Sequence, residues 1–318
     1  MADAFSILST ESINPEIKVK PFFQILKKKK DKDLLDWLTQ VSDALIEQAK
    51  IRTVRQRENL LLYRGVEIRT WDRFRNRERN QRRLSRISKF VVNHLYDLTE
   101  TKVSQMTRLK PAVEVLPTND EWQDRASATV AKNVIKHQWY VNDIDKMVTD
   151  MHRRARIFGE SFLFVVWDEK KGDLSPAFVA ARDAGLDTSR EDIQKIKKIG
   201  DVSYEPELPW RVLLQRKNEL DQVEYCFRIK IVPTEHLKEK YPDKANQIKE
   251  SESVKEFEIH ELVERTLEEH SLVFEFWHKK TELVEDGYHC LFTRDVILEK
   301  KEDLGYSHGQ LPLIHNRS

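Results

Sequence analysis

Glycine is scarce in this chain. Only eight of its 318 residues are Gly, and none sits in a Walker A loop or a GxGxxG pattern. A phosphate cradle needs clustered glycines so that the backbone can approach the ligand closely, so intrinsic ATPase or dinucleotide chemistry is disfavoured and no cofactor is expected. Cysteine is scarcer still. Cys226 and Cys290 each lie in an apolar, strand-like run, which argues against a disulfide framework and for two small buried fillers made in a reducing compartment. The ten histidines show neither HExxH nor ligand spacing with the cysteines, so no metal site is expected. His137, on an apolar helical face, reads as a core residue. The longest apolar run, Phe162 to Trp167, is far too short to span a bilayer, and the N-terminus lacks the apolar segment of a signal peptide. No membrane partner is expected.

Charge, in contrast, is abundant. Charged residues make up 34% of the chain and apolar residues 39%, enough apolar content for a sizeable core, and the length suggests about two domains. The net charge of +1 conceals a strong asymmetry. Residues 51–90 carry 13 Lys and Arg against 4 Asp and Glu, whereas residues 250–303 carry 16 acidic and 7 basic groups. One region therefore attracts anions and another repels them. The basic excess is almost all arginine, whose planar fork suits bidentate contacts to phosphate or carboxylate. The candidate contact set is Arg69, Arg73, Arg75, Arg77, Arg79, Arg82, Arg83 and Arg86. Read as helix, Arg69, Arg73 and Arg77 share one face while Arg75, Arg79, Arg82 and Arg86 line another. No apolar core accepts so many guanidinium groups unpaired. They meet water, carboxylates, or phosphates such as those of a nucleic-acid backbone contacted without regard to sequence. Trp71 and Phe74 interleave with them at a spacing that fits packing better than base stacking.

The organisation reads as α+β: a tail at 1–32, a helical region at 33–158 containing the Arg-rich segment 52–89, and a β-rich region at 159–318. Leu34, Leu38, Val41, Leu45 and Ala49 form a helical stripe, with Asp31 or Asp33 as its cap. A second stripe, Leu84, Ile87, Val91, Leu95 and Leu98, predicts a long helix ended by Pro111. A short strand is expected at 112–116. Helices follow at about 120–140 and 143–158, with Val130, Val134 and His137 facing Ile144, Met147, Met151 and Ala155. Gly159 is the expected C-cap. Residues 162–168, without alternation, read as a strand covered on both faces. Residues 175–200 form a charged insertion with one helix at 189–198. Strands are predicted at 201–205, 210–215, 223–232, 257–264, 271–280, 287–293 and 295–300. The strand at 223–232 alternates, with Val223, Tyr225, Phe227, Ile229 and Ile231 inward and Glu224, Arg228 and Lys230 outward. A short helix opens at Pro233-Thr234 and closes at Pro242.

One enzymatic pattern can be drawn. Pro242-Asp243 and Glu299-Lys300-Lys301 follow the PD…ExK order of metal-dependent nucleases, whose chemistry requires two carboxylates and a lysine converging on one divalent ion. So short a motif arises by chance in a charge-rich chain, and Pro242-Asp243 falls in a helix-terminating turn. The other alternative is a basic nucleic-acid-binding and oligomerisation module.

Three blocks of sequence resemble the portal proteins of tailed double-stranded DNA bacteriophages, particularly the short-tailed phages. The first runs from Arg108-Leu109-Lys110-Pro111 through Val113–Leu116, Pro117, Trp122, Asp124, Ala126 and Ala128 to Gly159, Phe162–Asp168 and Gly172. The second comprises Gly200-Asp201-Val202, Pro209-Trp210-Arg211-Val212-Leu213 and residues 231–242. The third is Phe274–Trp277, Gly287 and Leu311-Pro312-Leu313-Ile314. Counting the helix that ends in Arg108-Leu109-Lys110-Pro111, they cover roughly residues 84–315. The chain lacks a second glycine near Ser161, adds the insertion at 175–200, and stops at Ser318. That is before the later stem, tunnel-loop and crown elements of portal subunits, so it corresponds to the N-terminal portion of a longer subunit or to a reduced one. The resemblance implies a wing, stem and clip architecture and a non-enzymatic subunit in a ring of about twelve copies. It implies a place at one capsid vertex of the virion, after assembly in the host cytoplasm. The partners it implies are double-stranded DNA in the channel, the terminase large subunit, major capsid and scaffolding proteins, and head-tail adaptor or tail proteins.

Overall fold

A computed structural model describes residues 21–28, 30–65, 69–72, 77–80, 92–108, 113–185, 196–215, 222–251 and 269–317. In chain order the elements are helices α1 (Phe22–Lys28) and α2 (Asp31–Tyr63), strands β1 (Arg69–Asp72) and β2 (Arg77–Asn80), and helices α3 (His94–Thr107), α4 (Trp122–Val141) and α5 (Ile144–Phe158). Then come β3 (Glu160–Asp168), α6 (Pro176–Asp183), β4 (Asp201–Glu207), β5 (Val212–Leu214), β6 (Tyr225–Pro233) and α7 (Thr234–Lys240). Strands β7 (His270–His278), β8 (Tyr288–Phe292), β9 (Ile297–Lys301) and β10 (Leu313–Arg317) follow. Helices crowd the first half and sheets the second, an α+β chain. The strand expected at 257–264 and most of the helix expected at 189–198 lie outside the described residues. Compactness divides the chain differently from element type. One unit joins residues 1–52 to 210–311, and the other joins 53–209 to 312–318. Each is closed by segments distant in sequence, which local composition does not register.

The first unit is built on an antiparallel sheet of order β5-β6-β7-β8-β9. The stripe Leu34, Leu38, Val41 and Leu45 of α2 is buried as its spacing predicts, and Ala49 packs beside it. It meets Phe227, Ile229, Phe274, Phe276 and Phe292 on one sheet face. Phe22 of α1 joins this core, its ring 4.9 Å from Trp37 and 5.1 Å from Phe276. Each such side chain removed from water contributes roughly 1.5–3 kcal/mol. Both cysteines are buried free thiols, and burial pushes the Cys290 thiol up to about 12. On the opposite face, Leu237 of α7 and Ile248 pack with Val273, Val296 and Leu298.

That second face corrects one expectation. Arg228, read as outward, is only 3% exposed. It is set opposite Glu275 in the β6–β7 register, with Nη1 3.7 Å from the carboxylate. Lys230 Nζ and His289 Nε2 approach the same carboxylate at 3.0 Å and 3.2 Å, and Trp277 stacks on His289 at 3.7 Å. Burial alone would raise the Glu275 carboxyl. The hydrogen bond with His289 and the charges of Lys230 and Arg228 outweigh it and hold the group at about 2. Alternation separated the two sides of the strand correctly, but the second side is covered at Arg228, so that charge faces the Glu275 carboxylate in place of bulk water.

In the second unit β3 is the centre of a sheet of order β10-β3-β4. Gly159 (φ +85°) ends α5, its N–H donating to Ala155 O at 2.7 Å, a left-handed cap that releases the chain into β3. Phe162 and Phe164 are fully buried, whereas Trp167 near the strand's end is half exposed. Gly200 (φ +85°) passes so close to Trp167 that a Cβ there would lie 2.5 Å from the indole. Residues 113–117 form no strand. Helix α4 has the predicted limits but another rotation. Val130, Val134 and His137 are exposed, and Ala128 is its only buried residue. The cause is polar: Gln138 Nε2 donates to Asp201 Oδ1 and Trp139 Nε1 donates to Asp145 Oδ1, both at 2.8 Å. With these bonds in place the flank of Ala128, Ile135, Gln138 and Trp139 lies inward and Val130 and Val134 lie outward.

Candidate nucleic-acid interface

The described residues on either side of the arginine-rich segment 66–92 are held together. Helix α2 ends at Tyr63, and the chain turns through Gly65 at φ +69°, a left-handed conformation that glycine adopts without strain. It returns at Asn93, the N-cap of α3. Asn93 Oδ1 accepts from Tyr96 N at 3.1 Å and Nδ2 donates to Tyr63 O at 2.7 Å. A Cβ on Gly65 would lie 3.2 Å from Asn93 Nδ2, so the exit and return strands of the chain are in contact. One asparagine therefore caps a helix and closes a loop.

Behind this clamp stands an ion-pair network joining three helices. Tyr63 donates to Glu100 Oε1 at 2.7 Å. Arg153 of α5 holds the same carboxylate with Nε at 2.8 Å and Nη2 at 3.1 Å, a bidentate grip, and its Nη1 donates to Asp150. The Arg153 bond, then the Tyr63 bond, keeps the Glu100 carboxyl below its ordinary range. Burial and then Glu100 push the Tyr63 phenol up to about 12. The clamp stays charged and bonded across the neutral range.

Between the clamped ends lies an arm of nine Lys and Arg against three Asp and Glu at residues 66–92. Its described backbone is an antiparallel ribbon, β1 paired with β2, with Arg69 opposite Asn80, Thr70 opposite Arg79, Trp71 opposite Glu78 and Asp72 opposite Arg77. Arg69 and Arg77 therefore lie on paired strands and not on one helix, which corrects the helical reading for these two. Strand positions alternate, so the register groups Arg77 with Arg79 and sets Arg69 on the other parity. Arg73 and Arg75 fall in the connection between the strands, and Arg82, Arg83 and Arg86 follow β2. These five, with Trp71's neighbour in the sequence pattern Phe74, lie outside the described residues, as does the stripe Leu84, Ile87 and Val91. The two residues that fix the arm, Gly65 and Asn93, escaped the sequence reading as a pair; a glycine after one helix and an asparagine before the next was the available signal.

The nuclease pattern is not assembled into a metal centre. The Glu299 carboxylate accepts from Tyr241 and pairs with Lys240 at 3.4 Å, and Lys300 is bonded to Asp31 at 2.7 Å. Among the described residues no three His, Cys, Asp or Glu side chains gather as a metal ion would require. No described helix is long and apolar enough to cross a membrane.

The model of the phage P22-like portal protein family matches residues 38–313, an interval that contains the clamp, the arm and every strand from β1 to β9. The chain belongs to that family, whose members are structural components of the phage capsid vertex. A comparison with curated proteins returned no match.

Proposed function

We propose that this chain is the repeating subunit of a portal ring through whose channel DNA enters the capsid during packaging and leaves it during ejection. The family match across residues 38–313 is the observation that carries this reading. On it, the ring is also the platform for the terminase large subunit during packaging and for head-tail adaptor or tail proteins afterwards, with major capsid and scaffolding proteins around it. Such a role asks a subunit for surfaces, not for reaction chemistry.

The arm supplies one such surface. Arg69, Arg77 and Arg79, in the ribbon, with Arg73, Arg75, Arg82, Arg83 and Arg86 beside it in sequence, contact the phosphate backbone of double-stranded DNA without reading bases. Nine cations against three anions in 27 residues give a field that attracts any polyanion, and each phosphate neutralised releases counterions. The clamp at Gly65 and Asn93 fixes where that field originates.

Electron microscopy of the purified protein tests the ring: closed rings with a central hole are expected, and a strict monomer or dimer overturns the reading. Binding to duplexes of unrelated sequence tests the arm. Arg77→Glu with Arg79→Glu should weaken binding by about 10- to 100-fold at low salt and reduce the slope of log affinity against log salt by about 2. Unchanged affinity and slope would remove DNA from the arm and leave the ring reading standing.

A further inference from the structure

Helix α4 has an outer surface unlike the rest of the molecule. The chain is 34% charged, yet over about 160° of the α4 helical wheel, at 100° per residue, there is no Asp, Glu, Lys or Arg. That side carries Trp122 (81% exposed), Val130 (62%), Val134 (54%), Tyr140 (84%) and Val141 (54%), interspersed with the exposed uncharged polar residues Gln123, Ser127 and Asn133 and with His137. Arg125, Lys132 and Lys136 stand on the flanks. Exposed Trp, Tyr and Val side chains on a side without Asp, Glu, Lys or Arg, with such charges at its edge, suit a protein–protein interface and not a DNA-binding face. Ala128 is the only fully buried residue of the helix, so its own subunit leaves much of the helix uncovered, and helices in proteins draw most of their stability from packing.

Beside the stripe is a groove of about 580 Å³ between Val134 of α4, Met147 and Met151 of α5, and Leu163 and Ile314 of the sheet. Trp122 starts the helix, and Val134 follows 12 residues later, about 18 Å along the axis. Each copy thus presents a projecting indole at one end of α4 and an apolar groove toward the other, too far apart for one to fill the other within a subunit. Projection and groove on different parts of one surface suit a head-to-tail contact, the type that closes identical subunits into a ring. We infer that α4 is the seam between adjacent copies of this chain, the neighbour burying the stripe and its Trp122 entering the groove. The inference rests on the portal reading, because ring membership makes a second copy the partner that every subunit has.

The test is electron microscopy and light scattering of the whole protein at one concentration, for the wild type and for Val134→Glu, Trp122→Ala and Arg125→Ala. Val134 and Trp122 are more than half exposed in the single chain, so the far-ultraviolet circular dichroism spectrum of each variant should match the wild type, showing that the subunit still folds. Val134→Glu and Trp122→Ala should each lower the ring fraction by about tenfold or more, the loss expected for a central apolar anchor. Arg125→Ala, on the flank, should assemble like the wild type. Rings as abundant in Val134→Glu as in the wild type overturn the seam alone, including the case in which that variant has lost a shell protein or another segment as its occupant. A wild type that forms no rings overturns the portal reading and the seam together.

Discussion

Helices α2 and α4 carry the same kind of apolar stripe and put it to opposite uses. In α2, Leu34, Leu38, Val41 and Leu45 are buried against a five-stranded sheet of their own unit. In α4, Val130 and Val134 recur at the same helical spacing and are more than half exposed. Periodicity states that one side of a helix is apolar; it does not state what covers that side. In α2 the cover is supplied from residues 210–311 of the same chain. In α4 two hydrogen bonds, from Gln138 and Trp139, hold the other flank inward and leave the stripe outside.

The comparison breaks most severely where the first unit has buried charge to complete its closure. Glu275→Ala should cost about 3–5 kcal/mol in equilibrium unfolding, because it removes the anion facing Arg228, Lys230 and His289 in a covered site. A cost near zero would mean that this face is hydrated and the first unit no better closed than the second. The same group gives a pH signature. Its carboxyl is held at about 2, below its ordinary 4.5, so its contribution to stability is fully present above pH 4.5 and is lost as pH falls through about 2. Glu275→Gln should flatten that part of the stability profile. Next in size, Leu38→Ala should cost about 2–5 kcal/mol, since the side chain is fully buried and its removal leaves a cavity between α2 and the sheet.

What could be read from the sequence follows the range of the interaction responsible. The Gly159 stop, the limits of α4 and α5 and the strands β6 to β9 depend on residues near one another, and their signals are local. Strand β10 exists because Leu313 to Arg317 pair with Glu160 to Phe164, some 150 residues away; its own Leu-Ile-His-Asn-Arg has no strand pattern. Arg228 was placed on the correct side of β6 and given the wrong surroundings, because the cover on that side comes from elsewhere in the chain. The arm shows the same limit at the site. Its arginine excess was plain, but Arg-Glu-Arg-Asn at 77–80 offers no apolar alternation, so nothing in the pattern marked a ribbon in place of a helix. Its fixing point required Gly65 and Asn93 to be seen as neighbours, and only the fold brings them together.

The smallest expected effect separates the two stripes most cleanly. Val134→Ala in the single, unassembled chain should change unfolding free energy by no more than about 0.5 kcal/mol, in either direction. The valine already keeps 54% of its surface in water, so truncation forfeits little burial, and alanine's higher helix propensity returns a few tenths of a kcal/mol. Leu38→Ala is the matched control, a truncation on the other stripe with several times the cost. A Val134→Ala loss as large as that of Leu38→Ala would show that α4 is packed within its own subunit, and the contrast between the two helices would disappear. A null result in the single chain, alongside lost assembly in Val134→Glu, would place the energy of this stripe in contacts that one copy does not make.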